Sequence, residues 1–386
     1  MNIFKDLKVI ELASVLAAPS VGQFFAECGA TVLKIENPLT LGDVTRSWKL
    51  PSENSSSSIS AYFSAMNWGK TSLALNIYDK EDKEKLYQEI KNADIVLASY
   101  KKGDAEKLGV NYETLKKINP KLIYGHITGY GTDSFKVGYD ALIQAETGFV
   151  FMNGEKEEIN NNNTAKKLEG TKMPVALVDI LAAHHLKEGL LVTLIKREKE
   201  GKDNFEGSYV SVSLYESALS SLANQATNWL NANHSPQKMG SEHPNIFPYG
   251  TIFQTKTDSL MLVVGNDKQF SVLCNLLNIP FISEDERFKI NVNRVENREV
   301  LRPILEKAFL QTESKSILEI LEKNNVPAGS VNDIPKAFEN KAAQELLFKD
   351  KETGLKGVKT FVARFDNQVH NLELSAPPKF DKPLEK

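Results

Sequence analysis

The chain has 386 residues, 41% hydrophobic and 25% charged, with a formal net charge of −3. That is an ordinary globular composition, and the length exceeds what one core supports, so two domains are expected. The charge balance argues against nucleic-acid binding as the main task, and no run approaches the roughly 18 apolar residues of a membrane span.

Residues 8–12 read as a short apolar strand, 14–19 as a turn, and 20–28 as a helix ended by Gly29. Further strands are expected at 31–35, 72–75, 95–98 and 122–127, separated by helical stretches at 80–92 and 111–118. Such alternation predicts an α/β fold with a parallel sheet and helices on its faces, whose ligands bind at the carboxyl ends of the strands. The polar stretch 51–60 reads as a mobile loop, and so does 153–171, with four asparagines at its centre. The apolar run 174–178 reads as a strand or buried approach segment. After it, Ala183, Leu186, Leu190 and Leu194 recur at helical spacing. Asp179 stands between the two, near a helix N-terminus, where the macrodipole and free N–H groups favour its ionised form. From these residues alone it is either a helix cap or a functional carboxylate.

A strand at 208–213 and a helix at 214–229 follow. From about Asn231 the pattern changes, with strands at 250–254 and 260–264 and a helix at 267–277. The domains expected are a large N-terminal part over 1–227, a smaller α+β domain over 228–320, and a return to the large domain over 321–386.

No G-x-G-x-x-G, Walker A or G-x-S-x-G motif is present, and residues 14–19 contain no glycine. His184 and His185 point about 100° apart on a helix, and the pair His184 and Glu188 lacks a third ligand, so no metal site is expected. Tyr100, Tyr130 and Tyr139 read as packing residues near strand ends, and Lys101-Lys102 as a patch able to meet the phosphates of a small ligand. Cys28 and Cys274 fall in no redox or metal spacing. No signal-peptide core is visible in the first residues, and a soluble, cytoplasmic protein is expected.

The opening Leu7-Lys-Val-Ile-Glu-Leu-Ala, with Gly42-Asp43-Val-Thr-Arg46 and Asn67-Trp-Gly-Lys70-Thr-Ser-Leu, resembles the start of class III CoA-transferases. This family, of the CaiB/BaiF type, includes formyl-CoA transferase and carnitine CoA-transferase. The likeness continues through Gly129-Tyr-Gly131, Gly138-Tyr-Asp140-Ala-Leu-Ile-Gln144 and Gly207-Ser-Tyr-Val-Ser-Val-Ser, and reaches Asn325-Val-Pro327-Ala-Gly-Ser-Val331. It implies a large Rossmann-like domain with a small second domain, in an interlocked homodimer.

The resemblance also implies the chemistry. Asp179 falls where the family keeps its catalytic aspartate, which attacks an acyl-CoA thioester to give an aspartyl–acyl anhydride and then an aspartyl-CoA thioester. Coenzyme A is a co-substrate, and no tightly bound cofactor or metal is required. The partners implied are an acyl-CoA, a small carboxylic acid and a second copy of the chain, with neither nucleic acid nor membrane. By position, Val15, Leu16 and Ala17 meet CoA largely through the backbone. Arg46, Lys107 and Lys136 are its candidate cations, while Asp140 and Tyr139 support the intermediates.

Leu16 stands where formyl-CoA transferase has a glutamine, which argues against formyl or oxalyl specificity. The family's glycine-rich loop is replaced by Met239-Gly-Ser-Glu-His-Pro-Asn. The same fold hosts α-methylacyl-CoA racemase, which carries a histidine where this chain has Tyr139. A phenol of ordinary pKa near 10 is a poor base at neutral pH, so transferase is the favoured reading. A non-catalytic CoA-binding protein is the rival from another class, opposed by the presence of Asp179 together with Lys136.

Overall fold

The computed structural model describes residues 2–155, 170–366, 368–369 and 373–380. The chain forms two compact units. One comprises Met1–Thr147, Met173–Ala226 and Ala342–Lys386, and the other Gly148–Lys172 and Thr227–Lys341. The loop read over 153–171 lies mostly outside the described residues. Its base is closed within the second unit, where Thr171 N–H donates to Asn153 O at 3.1 Å.

In the first unit the order is β1 (Lys8–Leu12), α1 (Ala17–Glu27), β2 (Thr31–Glu36), α2 (Ala61–Ser64), β3 (Lys70–Ala74), α3 (Lys80–Lys91), β4 (Ile95–Ala98), α4 (Asp104–Leu108), α5 (Tyr112–Ile118), β5 (Ile123–Thr128) and α6 (Asp140–Glu146). The short α7 (Phe149–Met152) belongs to the second unit. The first unit resumes with α8 (Leu177–Glu200), β6 (Ser208–Ser213) and α9 (Leu214–Ser220). Six strands form one sheet in the order β3-β2-β1-β4-β5-β6, and each neighbouring pair is parallel. β4 and β5 are buried along their whole length, as expected of strands covered on both faces. Ile10, Leu12, Val96 and Tyr124 pack there with Leu86 and Ile90 of α3 and Leu115 of α5.

Three local readings change. α1 begins at Ala17, three residues earlier than expected, and includes Pro19. Proline is tolerated there because a first-turn N–H has no helical acceptor to lose. The stretch 214–229 breaks at Ala223, which takes a left-handed φ of 46°, and α10 (Ala223–Ala232) starts afresh. Residues 174–176 form no strand, and α8 takes in Leu177 and Val178. The Ser-rich loop is tied down: the Lys49 ammonium donates to the carbonyls of Asn54, Ser55 and Ser57 at 2.9, 3.0 and 2.5 Å.

The second unit contains β7 (Tyr249–Gln254), β8 (Ser259–Val263), α11 (Asp267–Leu276), α12 (Pro280–Glu284), α13 (Asn291–Glu296), α14 (Arg298–Phe309), α15 (Ser314–Lys323) and β9 (Ala328–Ser330). Residues 321–341, read from sequence with the returning C-terminal segment, belong here. Leu321 and Val326 pack into the same core as Phe253 and Phe309, and β9 extends the sheet beside β8. The chain end returns to the first unit, where Thr360 N–H donates to Glu27 and Phe380 N–H to Ser58 Oγ.

Candidate active site

The strand order reverses between β1 and β4, which opens a crevice at their carboxyl ends. A cavity of about 1020 Å³ occupies it, lined by Leu12 to Ser14, the end of β2, the turn Asn37–Ser47, Ser55 to Ser58, Leu75, Tyr78, Ser99, Tyr100 and Phe380.

Its wall includes part of a lattice of buried charge. Lys34 Nζ meets Glu11 at 2.9 Å and Asp43 at 2.9 Å, and Lys70 Nζ meets Glu11 at 2.7 Å. Beside it, the Arg46 guanidinium grips Glu36 through Nε and Nη2 at 2.8 and 2.6 Å. Burial works against the charge on Lys34, yet Glu11 and Asp43 overcome it and raise its pKa above the usual lysine value. For Lys70 burial wins and lowers it to about 8. Burial also opposes ionisation of Asp43 and Glu36, but Lys34 and Arg46 respectively hold them below the usual carboxylate range.

This lattice shapes the loop before α1. The Asp43 carboxylate accepts the Thr45 N–H at 3.0 Å and, more loosely, the Val15 N–H at 3.3 Å. Val15 sits at φ 72°, a conformation costly for a β-branched residue, and Asp43 helps to hold it. Leu16 and Ala17 follow as the N-cap and first residue of α1. Arg46, expected to reach a CoA phosphate, lines the cavity but is committed inward. Besides Glu36, it donates to Ser58 O and Pro378 O and lies 3.7 Å from the centre of the Phe63 ring.

Asp179 occupies the first turn of α8, behind Ala176 as N-cap, so it is not the cap itself. Its carboxylate is buried, and no described group donates a hydrogen bond to it. Burial first, and the neighbouring Asp140 second, push its pKa up to about 7. The helix N-terminus was expected to hold it ionised; here desolvation and like charge outweigh the helix. The amides at this end are also in use. Leu177 N–H donates to Val175 O, Ile180 N–H to Ala176 O, and Val178 N–H to Asp140 Oδ1 at 2.8 Å. Asp140 starts α6 but caps α8. Tyr139, its N-cap neighbour, is exposed.

Tyr62 belongs to the same neighbourhood and was missed from sequence. Its phenol is pushed above the usual tyrosine range by burial and then by Asp179, Asp140 and Asp43, and its ring meets Trp48 edge-on at 5.0 Å. Asp43 was missed as well, although an Asp two residues before a Thr is a local turn signal. Lys107 and Lys136 lie on the surface with local partners. Lys107 is 3.7 Å from Asp104, while Lys136 meets Glu146 at 2.5 Å and the Tyr130 ring at 4.1 Å. Lys102 makes a 3.4 Å contact with Asp133. His185 pairs with Glu188 at 3.7 Å, and the described residues contain no cluster suited to a metal ion. Nor is any described helix long and apolar enough to cross a membrane.

Residues 4–382 match the model of CoA-transferase family III, and the chain belongs to that family of enzymes. It is 36% identical over 344 residues to a succinate–glutarate CoA-transferase of Agrobacterium fabrum, covering 88% of this chain and 82% of that one. It is 30% identical over 384 residues to an acetyl-CoA:oxalate CoA-transferase of Acetobacter aceti, covering 98% and 93%. A CAIB/BAIF family protein from Brucella suis superimposes with a TM-score of 0.80 at 34% identity, covering 98% of this chain and 96% of that one.

Proposed function

We propose that this chain moves coenzyme A from an acyl-CoA thioester to a free carboxylic acid, with Asp179 as the nucleophile. The observation that carries the reading is a buried carboxylate to which no described group donates a hydrogen bond, so that its charge, once ionised, is poorly compensated and free to attack. The ionised Asp179 attacks the thioester carbonyl and expels CoA thiolate, leaving an aspartyl–acyl anhydride. The thiolate then attacks the aspartyl carbonyl, releasing the donor acid and forming an aspartyl-CoA thioester. The acceptor acid and the thiolate repeat the steps in reverse order. No redox change occurs, and CoA is a co-substrate rather than a resident cofactor.

The crevice at the order reversal of a Rossmann-like sheet would take the nucleotide end of CoA, reached past Val15, Leu16 and Ala17. Lys107 and Lys136 are the cations left to meet phosphates, by exchanging Asp104 and Glu146 for the ligand; Arg46 instead braces the wall. The relatives named for succinate, glutarate and oxalate point to small dicarboxylic acids. Leu16 weighs against oxalyl groups, so succinyl-CoA with glutarate is the first pair to test. Val192 and Ile195 stand exposed on α8, which supports burial against a second copy in a homodimer. We place the enzyme in the cytoplasm.

The test is incubation with succinyl-CoA followed by hydroxylamine and peptide mass spectrometry. A hydroxamate at Asp179 is expected, and its absence while CoA is still exchanged would overturn the covalent route.

A further inference from the structure

Two hydrogen bonds link α6 to the segment that launches α8, and a third joins their acceptors within α6, each of 2.8 Å. Met173 N–H donates to Gln144 Oε1, the Gln144 amide donates to Asp140 Oδ2, and Val178 N–H donates to Asp140 Oδ1. Asp140 and Gln144 are one helical turn apart, so both point to one side of α6. Gln144 is fully buried. Its two ends do different work: the carbonyl fixes the start of the segment, while the amide N–H leans on a carboxylate that fixes the segment's end.

We propose that Gln144 is a positioning residue for CoA transfer, acting through Asp140 to set the place of Asp179 and of the negative charge beside it. The inference rests on the reading of Asp179 as nucleophile. A neutral amide donor lowers the energy of an ionised Asp140, as does the Val178 N–H, whereas Asp179 has neither kind of support. The two donors therefore hold the Asp140 charge in a fixed place beside Asp179, where like charge acts on the nucleophile. Asp140 is thereby kept as a fixed acceptor that does not compete for the acyl group, and Asp179 is the carboxylate whose charge is least compensated.

The groups facing Asp179 are Asp140 from α6 and Tyr62 from α2. Titratable groups on the other elements packed against α8 have partners of their own. Glu27 of α1 accepts from Gln23, Thr360 and Phe361, and Glu216 of α9 from Ser213. His126 of β5 is bonded to Tyr209 of β6 and to Tyr100, and Tyr215 of α9 packs on Tyr130. Gln144 is thus the neutral donor able to bias the pair.

The experiment uses the full chain with succinyl-CoA and follows hydroxylamine trapping at Asp179 across pH 4–9. Two variants are compared with the natural protein: Gln144→Leu, which removes both bonds, and Gln144→Glu, which keeps the acceptor for Met173 and places a carboxylate beside Asp140. Gln144→Leu weakens the support for the charge beside Asp179, so trapping should extend about half to one pH unit further to the acid side, whereas the carboxylate added by Gln144→Glu should move it about as far to the alkaline side. In both, kcat falls about three- to tenfold and KM for the acyl-CoA holds, the size expected of one hydrogen bond. If Gln144→Leu does not fold, Gln144→Glu decides alone. A folded variant with the natural acid limb and kcat overturns the proposal, and so does a loss of kcat with an unmoved acid limb, which would make Gln144 a structural staple only. If the natural protein shows no hydroxamate at all, it is the nucleophile that fails, and the outcome is distinct from these.

Discussion

Two groups of acids in one unit follow opposite rules. Glu11, Glu36 and Asp43 are matched by Lys34, Lys70 and Arg46, three acids against three bases within 2.9 Å. Among the described residues Asp140 and Asp179 have no such cation; one is supported by a backbone and a side-chain amide and the other by neither. Where burial is compensated, Glu36 and Asp43 stay below their usual range and the backbone at Val15 is held in an unusual shape. Where it is not, the Asp179 carboxylate is raised toward neutrality. Asp179 is buried like the paired acids, and its partners differ.

The largest effect expected is on chemistry. Asp179→Ala should lower kcat by at least about a thousandfold, as loss of a covalent nucleophile does, with Asp179→Asn close behind; steady-state CoA exchange measures it. Next comes stability, with opposite signs for the same carboxylate-to-amide change. Glu11→Gln leaves Lys70 without a carboxylate partner and Lys34 with Asp43 alone, and should cost about 3–5 kcal/mol in urea unfolding. Asp179→Asn should instead stabilise the protein at pH 8, on the order of 2–4 kcal/mol. The sign follows from linkage. The pKa of Asp179 is higher in the folded state, about 7 against 3.8. Its contribution is therefore fully present below about pH 4 and is lost as pH rises through 7. If both variants shift stability in the same direction, the contrast between the two groups fails.

A smaller effect sharpens the comparison further. Acylation of Asp179 should rise with pH around a midpoint near 7, and Asp140→Asn, which removes the neighbouring charge but keeps an acceptor for Val178, should lower that midpoint in the same trapping assay. Smallest is the effect of Lys107→Ala or Lys136→Ala. Each should raise KM for CoA about threefold to tenfold with little change in unfolding, since exposed ion pairs contribute little to stability.

Much of the scaffold was legible in the chain. β1, β4 and β6 fall where short apolar or alternating runs predict them, because a strand's pattern is local. The helical spacing of Ala183, Leu186, Leu190 and Leu194 is met by four buried side chains on α8. Other features had no local signature. Residues 174–178 read as a strand or buried approach segment, yet α8 begins at Leu177, with Gln144 and Asp140, some thirty to forty residues earlier, bonded to Met173 and Val178. Arg46 looks like a phosphate ligand until Glu36 and Pro378 are brought to it. Tyr62 carries no motif and reaches its place because α2 packs beside the turn that Asp43 begins.

By itself the sequence determined the alternating architecture, the absence of a glycine phosphate loop before α1, and the ordered family pattern that singled out Asp179. Those depend on periodicity and on residue identity, which are properties of the chain. Which acids are paired, which cations are free, and whether Asp179 is ionised or raised were decided only in the tertiary structure. A carboxylate's energy depends on the charges and donors within a few ångströms, and folding brings these from Asp140, Gln144 and Asp43, far away along the chain.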